Sequence, residues 1–151
     1  MTLYELTNTI EKIADAQPNI NSIVKSGDIY DLNKSEYEQE YSAFCATQRT
    51  HRFDDETVTY NFVFYYVDRL TLDESNKIDI QSTACNVLMN IVLGLEDAGV
   101  LSVSYGDITT FTARFTSLCA GAYLNIGITV SRDLCYEDPV YEDVPTDKNI
   151  D

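Results

Sequence analysis

Apolar residues recur at helical spacing from the start of the chain. Leu3, Leu6, Ile10, Ile13 and Ala14 follow the capping-box pattern Thr2-x-x-Glu5, and Pro18 forbids continuation, which predicts a helix over Thr2–Ala16. Between Asn19 and Asn33 the period is lost. The pairs Ile23-Val24 and Ile29-Tyr30-Asp31-Leu32 flank Lys25-Ser26-Gly27-Asp28, a pattern of short strand pieces around a glycine turn. Tyr41–Arg52 is expected as a strand leading into an Asp54-Asp55-Glu56 turn, and Val58–Leu70 is the clearest strand of the chain. There Tyr60, Phe62, Phe64 and Tyr66 fall on one face, and Val63, Tyr65 and Val67 on the other. With both faces apolar, one packs on the chain's own helices, and the other needs a second cover or marks an interface.

Asp73-Glu74-Ser75-Asn76 then supplies carboxylates suited to a helix start, and Ile80, Ala84, Val87, Leu88, Ile91, Val92 and Leu95 follow with a 3.6-residue period. A second helix over Ile78–Glu96 is predicted. Its opposite side carries Gln81, Ser82, Asn86 and Asn90 and no charge, unlike a solvated helix face. Val100–Tyr105, Ile108–Phe115 and Ala122–Ser131 are expected as further strands, separated by Tyr105-Gly106-Asp107 and Cys119-Ala120-Gly121. Helix, strands, helix, strands in this order predict an α+β fold: a mainly antiparallel sheet with two helices packed on one face. One α+β domain over residues 1–135 suits a chain of 151 residues. After it, residues 136–151 form the near-repeat Tyr136-Glu-Asp-Pro-Val and Tyr141-Glu-Asp-Val-Pro, an acidic extended C-terminal arm.

Charge narrows the choice of partners. A formal net charge of −15 opposes broad binding to a nucleic-acid backbone or an anionic membrane, and suits basic partners or a wall past which DNA moves without sticking. The uncharged run Ile80–Leu95 would extend about 24 Å as a helix, short of a membrane's hydrocarbon core of about 30 Å. Met1–Ile13 lacks the basic and apolar regions of a signal peptide.

Candidate chemistry is sparse. Cys45, Cys85, Cys119 and Cys135 have no CxxC spacing and no histidine at ligand distance in sequence, which fits reduced, mostly buried thiols. His51 stands without a nucleophile elbow, Asp54-Asp55-Glu56 fits a hairpin turn, and Asp73 and Glu74 fit helix-start charges. Asp68 and Arg69 suit a surface ion pair or one at a subunit boundary. The six glycines are isolated and build no phosphate loop. No catalytic, cofactor-binding or metal residue is therefore assigned, and an enzyme is not expected.

Tyr60–Asn76, with its Asp68-Arg69-Leu70-Thr71-Leu72-Asp73-Glu74-Ser75-Asn76 ending, resembles the tail-terminator and head-tail connector proteins of tailed bacteriophages. So do the Ile80–Leu95 helix, the stretch Phe115-Thr116-Ser117-Leu118-Cys119-Ala120-Gly121-Ala122, and the final alternating strand up to Cys135. The likeness is strongest to small virion proteins of Bacteroides-infecting, crAss-like phages and spans Thr2 to Cys135. It implies copies arranged as a six- or twelve-membered ring in the virion, made in the host cytoplasm, contacting portal, connector or tail neighbours, with DNA as non-specific cargo through the lumen. The competing expectation is an acidic DNA-mimic decoy that binds a host nuclease or regulator. A decoy requires carboxylates in rows along its helices, whereas Ile80–Leu95 carries none and six acids sit in Tyr136–Asp151.

Overall fold

The computed structural model describes residues 1–33, 40–115 and 117–132. The arm expected over residues 136–151, and Cys135, lie outside them. The chain forms a five-stranded sheet with two helices on one face, the α+β architecture expected from the sequence. In chain order the elements are α1 (Leu3–Asp15), β1 (Ser22–Ile23), a 3₁₀ turn (Ile29–Asn33), β2 (Ala43–Phe53), β3 (Thr57–Arg69), α2 (Lys77–Glu96), β4 (Ser102–Arg114) and β5 (Leu118–Ser131). The strands lie side by side as β1-β2-β3-β5-β4. Only the short β1–β2 pair is parallel.

Local chemistry sets the element ends. Thr2 Oγ1 accepts the Glu5 amide (3.1 Å) and the Glu5 carboxylate accepts the Thr2 amide (3.2 Å), so two otherwise orphaned donors of α1 are satisfied reciprocally. Ahead of α2 the Asn76 side chain works differently. Its amide oxygen accepts the Thr71 N–H (2.9 Å) and its amide nitrogen donates to the Arg69 carbonyl (3.1 Å), closing the connection from β3 instead of capping the helix. Asp73 accepts from the Thr71 hydroxyl (2.7 Å) and the Ser75 amide (3.1 Å) in the same turn, which lowers its carboxyl below the ordinary range.

Leu6, Ile10 and Ala14 of α1 and Ile80, Ala84, Val87, Leu88, Ile91, Val92 and Leu95 of α2 cover one face of the sheet. They meet Phe44, Tyr60, Phe62, Phe64, Tyr66, Leu124, Ile126 and Ile128 in the main core. α2 has 20 residues and enough apolar character to span a membrane by length and composition. Its seven buried side chains, however, face this core.

Three sequence expectations are corrected. Ile29–Leu32 is 3₁₀ and not extended, because Gly27 (φ 72°) reverses the chain and Asp28 accepts the Tyr30 amide (2.9 Å), starting a turn of period three. That period puts Ile29 and Leu32 on one side, where they join Val24 in a second cluster. The supposed separator Tyr105-Gly106-Asp107 is a bulge inside one continuous strand, β4. Register passes from Tyr105 opposite Ile126 to Ile108 opposite Leu124, so β4 holds one extra residue. Cys119-Ala120-Gly121 likewise belongs to β5, paired on both sides with Val67–Arg69 and Phe111–Ala113. Small side chains there permit close strand approach, and the reversal between β4 and β5 is closed by a bond from the Phe115 amide to the Ser117 carbonyl (3.0 Å).

Candidate interface on the open face of the sheet

The face of the sheet turned away from the helices has three zones along the strands. At one end Val24, Ile29 and Leu32 fold over Ala43, Cys45, Val67 and Cys119. Part of the second apolar face is thus covered by the chain itself. Burial pushes the Cys45 thiol up to about 11, against a smaller opposing effect of its contact with Thr47 (3.5 Å), and burial also raises Cys119. Both remain protonated thiols at neutral pH.

The middle zone is aromatic. Tyr65 of β3, Tyr123 of β5 and Phe111 of β4 touch one another, with ring centroids 5.9 Å apart for Tyr65–Tyr123, 6.2 Å for Phe111–Tyr123 and 6.4 Å for Tyr65–Phe111. All three are half-buried in the single chain. At the free end lie Thr59, Asn61, Asn125, Gly127, Thr129 and Ser104. The Thr59 and Thr129 hydroxyls meet at 2.9 Å, and Asn61 donates to the Thr50 carbonyl (2.8 Å). A concavity of about 410 Å³ opens here between Arg49, Asn61, Ser104, Asn125 and Gly127. Gly127 forms its floor, since a Cβ there would stand 2.9 Å from both Asn61 Oδ1 and Ser104 Oγ.

Across β3 and β5 the outward positions from Thr57 to Val67 and from Cys119 to Ser131 carry no charge at all. In a chain of net charge −15 this is a segregated surface. No family model and no curated protein sequence matches the chain. The site therefore rests on its own geometry.

The residues weighed for chemistry are dispersed. His51 accepts the Asn61 amide on Nδ1 (3.2 Å), has Gln48 3.2 Å from Nε2, and packs edge-on against Tyr60. Asp54-Asp55-Glu56 forms the β2–β3 hairpin turn, with Asp54 bonded through its amide to the Thr57 carbonyl (2.9 Å) and through its carboxylate to Arg52 (3.3 Å). Arg69 lays its guanidinium over the Tyr41 ring (4.9 Å), a cation–π contact, while its amide donates to Asp68 (2.8 Å). Among the described residues no group of three or more His, Cys, Asp or Glu is placed to hold a metal.

Sequence reasoning singled out Tyr65 but passed over Phe111, Tyr123, Asn61 and Asn125. A signal existed in the alternation of β5. Leu124, Ile126 and Ile128 imply that Tyr123, Asn125 and Gly127 share the opposite face, and the Phe111–Tyr123 contact follows only once the β4 bulge sets the register.

On the helix side, α2 leaves Ser82, Asn86 and Asn90 exposed, with Ile78 71% and Leu93 55% exposed beside them. Exposed acids bound this side at both ends, Asp79 and Glu96, and it is uncharged only between them.

Proposed function

We propose that the chain is a structural virion protein that forms a homo-oligomeric ring, tail-terminator-like, in the head-to-tail connector or tail of a bacteriophage. It acts there as a joint between portal-proximal and tail components and lines the DNA path. The observation that carries this reading is the open face, uncharged across β3 and β5, where an aromatic trio adjoins a hollow lined by hydroxyls and amides with Arg49 of β2 at its rim. Such a surface suits repeated burial against protein, because it offers apolar area and hydrogen-bonding groups with a single charge to desolvate or pair. The acids favour the same reading over a nucleic-acid mimic. Asp54, Asp55, Glu56, Asp73, Glu74, Glu96 and Asp97 sit in turns and at helix ends; α2 carries no acid between Asp79 and Glu96, and of the three on α1, Glu5 closes the capping box and Glu11 pairs with Lys25 (3.0 Å), which leaves no long row along a helix.

Native mass measurement with negative-stain imaging of the purified full chain tests the proposal. A closed ring of six or twelve copies is expected, and Tyr123→Arg with Asn125→Arg should weaken it while preserving the fold. A particle reconstruction with a single copy off every symmetry axis would overturn it.

A further inference from the structure

Both edges of the sheet lie open to a further strand. β1 pairs only with Ala43 and Phe44, so among the described residues the outer edge of β2 is bare from Thr47 to Phe53, with Arg49, Arg52 and a bulge between Gln48 and His51 as its guards. At the other side, among the described residues, no strand pairs with the outer edge of β4 over the 13 residues of Ser102–Arg114. Soluble monomers protect such edges with lysine, proline or shortness. β4 has neither lysine nor proline, its only charges are Asp107 and Arg114, and its one guard is the bulge at Gly106-Asp107. Beyond that bulge Ile108–Arg114 runs in unbroken register.

Strand direction adds a second constraint. β2, β3, β5 and β4 alternate in direction, and their number is even. A second copy set beside the first in the same orientation therefore brings its β2 against β4 in the antiparallel sense; an odd number would have made the joint parallel. Charge fits as well. Gln48, Phe62, Ile126 and Tyr105 share one row of the sheet, so exposed Arg49 on the β2 edge stands level with exposed Asp107 in the β4 bulge, while Arg52 is held by Asp54 of its own turn.

We infer that β4 of one copy pairs through its main chain with the outer edge of β2 of a second copy, head to tail, so that the sheet continues from subunit to subunit. This rests on the ring reading and deepens it. A head-to-tail contact uses two different surfaces and closes into a ring where a two-fold contact would stop at a dimer.

Consecutive residues of a strand aim their N–H groups at opposite sides. In each of the pairs Val103→Pro with Ser104→Pro and Arg52→Pro with Phe53→Pro, one member therefore removes only an outward donor; thermal melts of the full chain identify it. We expect either such variant alone to give monomers. Mixed together, the β4 variant keeps an intact β2 and the β2 variant an intact β4, so the mixture should give a 1:1 dimer and no larger species. Rings from both variants would overturn the edge joint and leave the ring reading standing. Dimers of the β2 variant alone would show β4 pairing with β4, which also overturns the joint. A wild-type chain that stays monomeric sinks both readings. Amide exchange on the wild-type assembly needs no substitution: slow exchange at every residue of Ser102–Tyr105, the part of β4 level with the bare stretch of β2, supports the joint, and fast exchange at alternate residues there refutes it.

Discussion

Gly121→Ala is the substitution on which the fold makes its sharpest demand. Strand propensity alone favours alanine over glycine by about 0.5–1 kcal/mol, because glycine loses more backbone freedom on folding. Sterics oppose it. A Cβ on Gly121 would lie 1.8 Å from the Tyr66 carbonyl oxygen, 2.9 Å from its carbonyl carbon and 3.1 Å from Val67 Cα, all main-chain atoms that cannot swing aside. Restoring even a tight 3.0 Å contact requires β5 and β3 to part by about 1.2 Å, which carries a ladder bond of about 2.9 Å well past bonding distance. The affected pairs are Tyr66–Ala122, Val67–Gly121 and Asp68–Ala120, at the centre of the sheet and beside buried Cys119.

Two such bonds lost, each leaving buried groups unsatisfied at about 1–3 kcal/mol, place the net loss at about 3–5 kcal/mol. That is a large part of a domain's whole stability of about 5–15 kcal/mol. Gly106→Ala serves as the control, since no atom lies within 4 Å of its Cβ position and the site is exposed in the β4 bulge; its effect should stay within about 0.5 kcal/mol. Urea unfolding followed by far-UV circular dichroism measures both. A Gly121→Ala midpoint at or above that of the natural chain would mean that the strands tolerate separation there, and the steric reasoning fails.

Thr2→Ala removes one arm of the α1 capping box and should cost about 1 kcal/mol in the same unfolding assay; an unchanged midpoint would show that α1 is held by its packing alone. Stability should fall as pH rises from 9 toward 11. The unfolded chain releases the Cys45 proton near its ordinary 9.0 while the folded chain holds it to about 11, so this contribution is complete below 9 and lost through that window. The two-unit gap corresponds to about 3 kcal/mol, and Cys45→Ala should flatten that limb of the profile; an identical slope would discount the buried thiol.

The fold class was legible because its strongest signals are local. The Thr2-x-x-Glu5 cap, the 3.6-residue period of α2 and the aromatic alternation of β3 each specify one element without help from the rest, and each stands where the sequence put it. What the sequence obscured depends on pairing. Gly106-Asp107 has turn chemistry, and only the β5 ladder converts it into a bulge; Cys119-Ala120-Gly121 resembles a break because small residues mark turns, yet here they let three backbones approach. The open face was hidden for the same reason. Tyr65, Phe111 and Tyr123 are far apart in the chain and become neighbours only through register.

Distance along the strands explains how an acidic chain can associate with itself. β3 extends 13 residues, and Tyr65 stands eight residues from Thr57, beside the Asp54-Asp55-Glu56 turn. At about 3.3 Å per residue the aromatic trio is roughly 26 Å from those acids. Exposed charges at physiological salt are screened over about 8 Å, so repulsion between copies centred on this face decays before it reaches the contact. At the edge joint the Asp54-Asp55-Glu56 turn is close, because it follows Phe53 of β2; there Asp54 is held by Arg52 of its own chain, and Arg49 is left to meet Asp107 of the neighbour. Added salt would then act in opposing directions, relieving long-range repulsion among the turn acids and weakening the attraction of Arg49 for the β4 side. Main-chain pairing and aromatic burial feel neither effect strongly. Assembly through these surfaces is therefore compatible with a net charge of −15, and the same charge keeps the outward surfaces from joining indiscriminately.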